Sequence, residues 1–142
     1  MTPASDHVAA LLTPPGAGAV AVIAARGPDI LRLIQPLVRL HSGRPLADLP
    51  TARIARADLF LEGRCVDHGL FVVRRRSPAD TTVEIHCHGS TRLTQRLMAA
   101  LSDSGVTPAD APSPGRMGCA GADDDLAQAL ARARTRRGVG FV

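Results

Sequence analysis

The sequence of 142 residues contains no lysine, no tryptophan and no tyrosine, and only three phenylalanines. All 17 of its basic residues are therefore arginine. A phosphate-binding P-loop needs its lysine, so Walker-type nucleotide hydrolysis by this chain is excluded. The shortage of aromatic rings argues against stacking on single-stranded bases. The core must be built from Leu, Val, Ile and Ala.

Cysteine and long apolar runs are also scarce. Cys65, Cys87 and Cys119 are an odd number without the spacing of a disulfide framework, which indicates a reducing compartment. No stretch approaches 18 uninterrupted apolar residues, so we expect no membrane span. Residues 1–10 lack a basic start followed by an apolar block, so we expect no signal peptide. A cytoplasmic protein is the prediction.

Size and charge set the remaining limits. A chain of this length forms one domain with a single core. The net charge is +4, but the arginines are scattered apart from two groups, at 74–76 and 132–137. Basic charge attracts phosphate backbones without sequence preference. Because this charge is spread along the chain, we do not expect specific nucleic-acid binding by this chain alone.

The order of apolar segments predicts an α+β fold, in which helices pack on one face of a mostly antiparallel sheet. Pro36 should kink the first helix or end it near Ile34, Ser90 or Thr91 can N-cap the second, and Gly105 stops it. Arg74 to Thr81 is predicted to be a charged loop. The predicted elements are a strand at 19–24, a helix from about 30, a β-hairpin at 53–61 and 65–73, a strand at 82–87, a helix at 91–104 and a C-terminal helix beginning near 123.

A strand at 82–87 places an acid and two imidazoles on one face. Side chains alternate along a strand, so Glu84, His86 and His88 share one face and Val83, Ile85 and Cys87 share the other. A carboxylate in the middle of a sheet is costly unless it is solvated or paired. Glu84 is either an exposed acid on a half-open sheet or the acceptor for two N–H donors of a planar ligand such as a pterin.

The same segment argues against a metal site and against a cysteine nucleophile. His86 and His88 could share a metal, but Cys87 points to the opposite face and no CxxC or HxxxH spacing supports the set. A Cys–His nucleophile pair fails for the same reason. We expect Cys87 to be a small buried hydrophobe, and we predict no metal ligands and no catalytic residues.

Several short motifs, taken in order, resemble the N-terminal domain of the MnmE (TrmE) family of tRNA-modification GTPases. Thr13-Pro14-Pro15-Gly16 precedes an apolar strand and Gly27-Pro28-Asp29. Asp67-x-Gly69 and Glu84-Ile85-x-x-His88-Gly89 follow, and Asp125-Leu126-x-Gln128-Ala129 is similar to the start of the family's helical domain. Each motif is short, but their order and spacing extend over nearly the whole chain.

The resemblance implies a folate-binding fold related to the glycine-cleavage T-protein, which binds a tetrahydrofolate derivative and forms a homodimer. It implies a setting of wobble-uridine modification in tRNA, with an MnmG-like or MnmE-like protein partner. It also implies a domain at 1–121 and the start of a helical segment at 122–142. The cofactor-binding residues carried over by position are Glu84, His88 and Gly89, the bordering loop of Thr13, Pro14, Pro15 and Gly16, and Arg26 for a tail carboxylate.

The chain departs from the family pattern at Ser77 to Thr81, at Ser90 and at Pro114 to Gly121, and the family's GTPase domain is missing from the sequence. These departures leave two alternatives open. One is a dimerisation or interaction module that keeps the fold and binds no cofactor. The other is a one-carbon-transfer enzyme, for which only Asp80 and His86 could serve as acid or base.

Overall fold

A computed structural model describes residues 6–14 and 16–109, and within them the chain forms a seven-stranded sheet and two α-helices. The sheet order is β3-β4-β5-β6-β2-β1-β7, and every pairing is antiparallel except the parallel pair β1–β7. The elements are β1 (Val8–Leu11), β2 (Val20–Gly27), α1 (Ile30–Ile34), β3 (Val38–Leu40), a 3-10 helix (Leu46–Asp48), β4 (Ile54–Leu61), β5 (Arg64–Arg75), β6 (Thr81–His88), α2 (Thr91–Asp103) and β7 (Thr107–Pro108).

The core lies between the sheet and the two helices. Ile23, Phe71 and Ile85 come from three neighbouring strands and are almost completely buried. They belong to one cluster with Ile34 of α1 and Leu97 of α2. We call the side of the sheet that carries this cluster the near face and the opposite side the far face. The predicted α+β architecture, with helices on one face of a mostly antiparallel sheet, is confirmed.

Local sequence signals set the helix ends as predicted. Pro36 cannot continue a helix, and α1 ends at Ile34. The hydroxyl of Ser90 accepts a hydrogen bond from the backbone N–H of Leu93 and caps α2. Gly105 follows α2 with φ +96°, a conformation that costs glycine little.

One assignment was wrong in detail. Arg74 was predicted in a loop, but it belongs to β5, which extends to Arg75. A bulge beside Arg74 shifts the register so that Arg75 pairs with Thr82. Tertiary pairing therefore overrides the local charge pattern at Arg74. Beyond Pro36, Val38 lies in β3 and pairs with Leu59.

The β4–β5 hairpin turns at Glu62 and Gly63, which both have positive φ. Its register shifts by one residue between Leu59 and Phe60, so that Leu59 pairs with Asp67 and Phe60 pairs with Cys65. Val66 is the extra residue of this second bulge. Among residues 6–14 and 16–109, no helix has the length and apolar character needed to cross a membrane.

Candidate functional site

Glu84 lies at the centre of the far face and is only 5% exposed. It pairs with Val72 on one side and Ala24 on the other. Ala10 continues the same row and is fully buried. The carboxylate is thus surrounded by small or aliphatic side chains, an environment in which a charge must have partners.

Two side chains provide those partners. Arg74 Nη2 donates a hydrogen bond to Oε2 of Glu84 (3.2 Å), and Arg74 Nε lies 3.1 Å from Oε1. Nε2 of His86 lies 2.9 Å from Oε2. Since carboxylate oxygens only accept, this imidazole nitrogen carries the hydrogen. The contact confirms that Glu84 and His86 share one face of β6.

The charge of Glu84 is stabilised in this position. Burial by itself raises the pKa of the carboxyl group, but hydrogen bonds from His86 and Arg74 and the positive charge of Arg74 outweigh it. The net pKa of Glu84 lies below its ordinary value of 4.5. Glu84 is therefore an anion throughout the physiological range, available as an acceptor and not as an acid.

One polar atom in this group is not satisfied. Arg74 Nε is buried, and although it is close to Glu84 Oε1 the geometry makes no hydrogen bond. Arg74 Nε and Glu84 Oε1 form an ion pair, because the two atoms are close but the N–H is not directed at the oxygen. A buried N–H without an acceptor costs about 1–3 kcal/mol, and such groups in native proteins usually have an explanation.

The predicted loop and turn meet at one end of the sheet. The backbone N–H of Gly18 donates to the carbonyl of Gly89 (2.8 Å), and the N–H of Gly89 donates to the carbonyl of Ala19 (3.3 Å). Thr13 Oγ1 accepts from the N–H of Val22 (3.2 Å). The structure thus joins Gly89 to Gly18 and Ala19, which follow the segment at 13–16. Pro15 lies outside the described residues.

His88 is positioned by Asp67. One oxygen of Asp67 accepts from the backbone N–H of His88 (2.9 Å), and the other contacts Nδ1 of the imidazole. The ring of His88 is 72% exposed. His88 is thus directed toward the hairpin, and not toward Glu84 two residues earlier.

Arg26 lies far from this end of the sheet. It pairs with Thr82, whereas Val20 pairs with His88, so six residues of β2 separate the two positions by about 20 Å. Arg26 lines an open pocket of about 420 Å³ together with Asp6, Pro28, Ala79 and Asp80. The structure therefore does not place Arg26 beside the loop and turn.

Within residues 6–14 and 16–109, three large apolar side chains are exposed, and all lie on the far face. Val20, Ile54 and Leu70 are 56%, 64% and 40% exposed, and they pair with His88, Val72 and His86, respectively. Sequence reasoning missed this grouping, because it depends on the order of strands in the sheet.

Cys87 behaves as predicted on the near face. It is 4% exposed, and burial, followed by the negative charge of Asp67, raises the pKa of its thiol to about 11. The thiol therefore stays protonated and unreactive. The predicted C-terminal helix, the domain boundary near 121, Cys119 and the motifs at 114–115 and 125–129 lie outside the described residues.

These elements define a class of α+β domain. Its sheet is mostly antiparallel, a glycine junction connects a loop to a turn, and a paired acid lies at the centre of one face. The family model described as "GTP-binding protein TrmE N-terminus" matches residues 7–113. The chain belongs to this family.

Curated relatives agree with this assignment. The chain is 35% identical over 130 residues to a protein from Christiangramia forsetii, covering 89% of this chain and 27% of the relative. It is 37% identical over 113 residues to a protein from Myxococcus xanthus, covering 75% of this chain and 24% of the relative. A third, from Lactococcus lactis, is 32% identical over 143 residues, covering 95% and 31%. Each of the three is named "tRNA modification GTPase MnmE". The chain spans less than a third of their length.

Proposed function

We propose that this chain is a reduced-folate-binding domain that acts in tRNA wobble-uridine modification, and that the ligand's ring is held at Glu84 on the far face. Family membership and the names of the relatives support this setting. In that setting the chain is cytoplasmic, forms a homodimer, works beside an MnmG-like or MnmE-like protein and contacts tRNA only indirectly. Without lysine it does not itself hydrolyse GTP.

The observation that carries the proposal is the pairing of the Glu84 carboxylate with the unsatisfied Nε–H of Arg74. The edge of a reduced pterin presents two adjacent N–H donors beside a carbonyl oxygen. A carboxylate can accept two parallel N–H groups. A neighbouring arginine N–H can donate to the carbonyl. The two protein groups thus complement three adjacent polar groups of the ligand.

The small residues beside Glu84 support a planar ligand on this face. Ala24 pairs directly with Glu84, and Ala10 pairs with Ala24. Both alanines are almost completely buried, so no bulky side chain stands directly beside the carboxylate in this row. His86 is 29% exposed in its side chain and contacts Oε2. The ligand's donors would take its place there, and the displaced imidazole would regain hydrogen bonds to water.

Calorimetric titration with 5-formyltetrahydrofolate tests the proposal. We expect saturable binding, and Glu84→Gln should weaken it by at least about tenfold, because hydrogen bonds to a charged group contribute about 1.5–3 kcal/mol. Glu62→Gln is the matched control, since Glu62 is the only other glutamate in the sequence and lies in the exposed hairpin turn. Its affinity should equal that of the unmodified chain.

A second variant covers the case in which Glu84→Gln unfolds. His86→Ala removes the side chain that occupies Oε2, so the fold should persist and the ligand should bind at least as tightly. No saturable binding at millimolar ligand would contradict the proposal. So would unchanged affinity in a folded Glu84→Gln protein, or a large loss of affinity in His86→Ala.

The alternative function is a dimerisation module without a cofactor. The exposed apolar side chains of Val20, Ile54 and Leu70 favour it, because exposed apolar surface is a common feature of interfaces. Sedimentation without folate should then give a dimer, and Ile54→Ser with Leu70→Ser should give a monomer. Ile54→Val is the control that keeps the apolar surface. A dimer that binds no folate supports this alternative, and a monomer that binds folate contradicts it.

A further inference from the structure

We propose that the β4–β5 hairpin carries a surface site for a divalent transition metal such as Zn²⁺, formed by Asp58, Cys65 and His68. Among residues 6–14 and 16–109 these three side chains bring a carboxylate oxygen, a thiol sulfur and an imidazole nitrogen within 4.8 Å of one another. The site is separate from Glu84 and does not depend on folate binding.

The register of the hairpin explains how the three side chains meet. Asp58 pairs directly with His68, so both point to the far face. In a regular hairpin the odd-numbered Cys65 would point to the near face. The bulge at Val66 shifts the register so that Cys65 pairs with Phe60, whose side chain lies on the far face. The bulge therefore turns the thiol onto the face of the other two ligands, a known effect of bulges at functional sites.

Packing of the residues after Cys65 stabilises the bulge. Val66 is partly buried and packs against the core cluster. Asp67 is held by the backbone and ring of His88. The neighbours of Cys65 are thus fixed on the near side while Cys65 itself stays exposed. Arg39, which pairs with Asp58, places its guanidinium over the Phe60 ring, 4.5 Å from its centroid.

The donor set suits zinc. Cys, His and Asp are its usual ligands, and three protein ligands with a fourth position open to water are typical of accessible sites. Zinc–ligand lengths of about 2.0–2.3 Å place the ligand atoms about 3.3–3.6 Å apart. Asp58 Oδ1 and His68 Nδ1, now 2.7 Å apart, must therefore separate slightly, whereas ligand atoms near the 4.8 Å limit must approach by about 1 Å. His68 is 80% exposed and Asp58 30%, so rotation of the side chains provides this movement.

Binding replaces two present contacts. Asp58 Oδ1 and His68 Nδ1 are now 2.7 Å apart, and the Cys65 thiol donates to the carbonyl of Asp67 at 3.5 Å. On binding, the thiol proton passes to water and the sulfur binds the metal as thiolate. Affinity should therefore decrease as the pH falls.

Cobalt is the probe, because a thiolate bound to Co²⁺ gives a charge-transfer band in the near ultraviolet. The test uses the full chain with Cys119→Ser, so that Cys65 and the buried Cys87 are its only thiols. We expect the band to saturate at one equivalent and to be abolished when Zn²⁺ is added. Cys65→Ser should remove the band.

His68→Gln and Asp58→Asn should each weaken Co²⁺ binding by at least about tenfold, because even outer-shell partners of a metal contribute that much. His41→Gln changes an exposed histidine outside the hairpin and should leave the affinity unchanged. A band that persists in Cys65→Ser, an unaffected His68→Gln, or no band at millimolar Co²⁺ would overturn the proposal.

Discussion

Asp67 holds His88 through two hydrogen bonds, one to the backbone N–H and one to the imidazole, and so fastens the β4–β5 hairpin to the end of β6. The Asp67 side chain is 9% exposed, whereas that of His88 is 72% exposed. This contact joins two motifs that lie about twenty residues apart in the sequence. The acid thus positions the turn that leads into Gly89.

Replacing Asp67 with Asn should destabilise the fold in a pH-dependent way. Burial raises the pKa of Asp67, but hydrogen bonds from His88 and His68 outweigh it, so the pKa lies below its ordinary value of 3.8. The stabilisation is therefore present above pH 3.8 and is lost as the pH falls through the lower folded-state pKa. We expect Asp67→Asn to lower the free energy of unfolding in urea by about 1–2 kcal/mol at neutral pH.

The control for this variant is Asp29→Asn, since Asp29 is 62% exposed and makes only a loose ion pair with Arg32. It should change the free energy of unfolding by less than about 0.5 kcal/mol. Below the folded-state pKa, the Asp67 variant and the unmodified chain should converge. A difference that stays constant on acidification would show that the charge of Asp67 is not the cause.

The pair of Glu84 and Arg74 should behave as a buried ion pair. Glu84→Gln alone leaves the guanidinium without its counter-charge, and we expect a loss of roughly 3 kcal/mol in the free energy of unfolding. Replacing both residues with apolar side chains, Glu84→Leu with Arg74→Met, should cost less than that single change. A double-mutant cycle on Arg32 and Asp29, whose side chains are 72% and 62% exposed, is the control and should give almost no coupling.

The sequence was sufficient for the features that depend on local chemistry. Pro36 ended α1, Ser90 capped α2, and alternation along β6 put Glu84 and His86 on one face. It was insufficient where strand length or a register shift decides the result. Arg74 reaches Glu84 because β5 extends to Arg75, where a loop was predicted, and Cys65 reaches the far face because of a bulge. No period of two predicts where an extra residue enters a strand.

The site was predicted only in part, for a related reason. Glu84, the loop at 13–16 and the turn at 88–89 follow from motifs, and the structure adds the hydrogen bonds that connect the loop to the turn. Arg26 was chosen for its charge, but antiparallel pairing places it at the other end of β2. The direction in which β2 pairs with β6 sets the distance between Arg26 and the turn. That direction cannot be predicted from the sequence of one segment.

The hairpin turn offers a stabilising change. Glu62 has φ +52° and is followed by Gly63 at φ +74°, the conformation that two-residue turns with Asn-Gly adopt. A left-handed conformation costs most side chains about 1–2 kcal/mol, and Asn tolerates it better. Glu62→Asn should therefore raise the midpoint of thermal unfolding, whereas Glu62→Gln should leave it unchanged. A lower midpoint in the Asn variant would contradict this interpretation of the turn.

The contact between Gly89 and Gly18 should tolerate no side chain. A Cβ at position 89 would lie 2.2 Å from the carbonyl oxygen of Gly18, and this neighbour is backbone that cannot rotate away. Gly89→Ala must therefore separate the loop from the turn and weaken the hydrogen bond from the N–H of Gly18 to the carbonyl of Gly89. We expect a loss of about 2 kcal/mol in the free energy of unfolding.

Gly43→Ala separates this steric effect from conformational strain. Gly43 has φ +78° but open space around its Cα, so only the backbone penalty of about 1 kcal/mol applies. Hydrogen exchange gives the second measurement. The amide of Gly18 should lose protection in Gly89→Ala and keep it in Gly43→Ala. If Gly18 stays protected in both variants, the loop follows the turn when it moves, and the junction is not rigid.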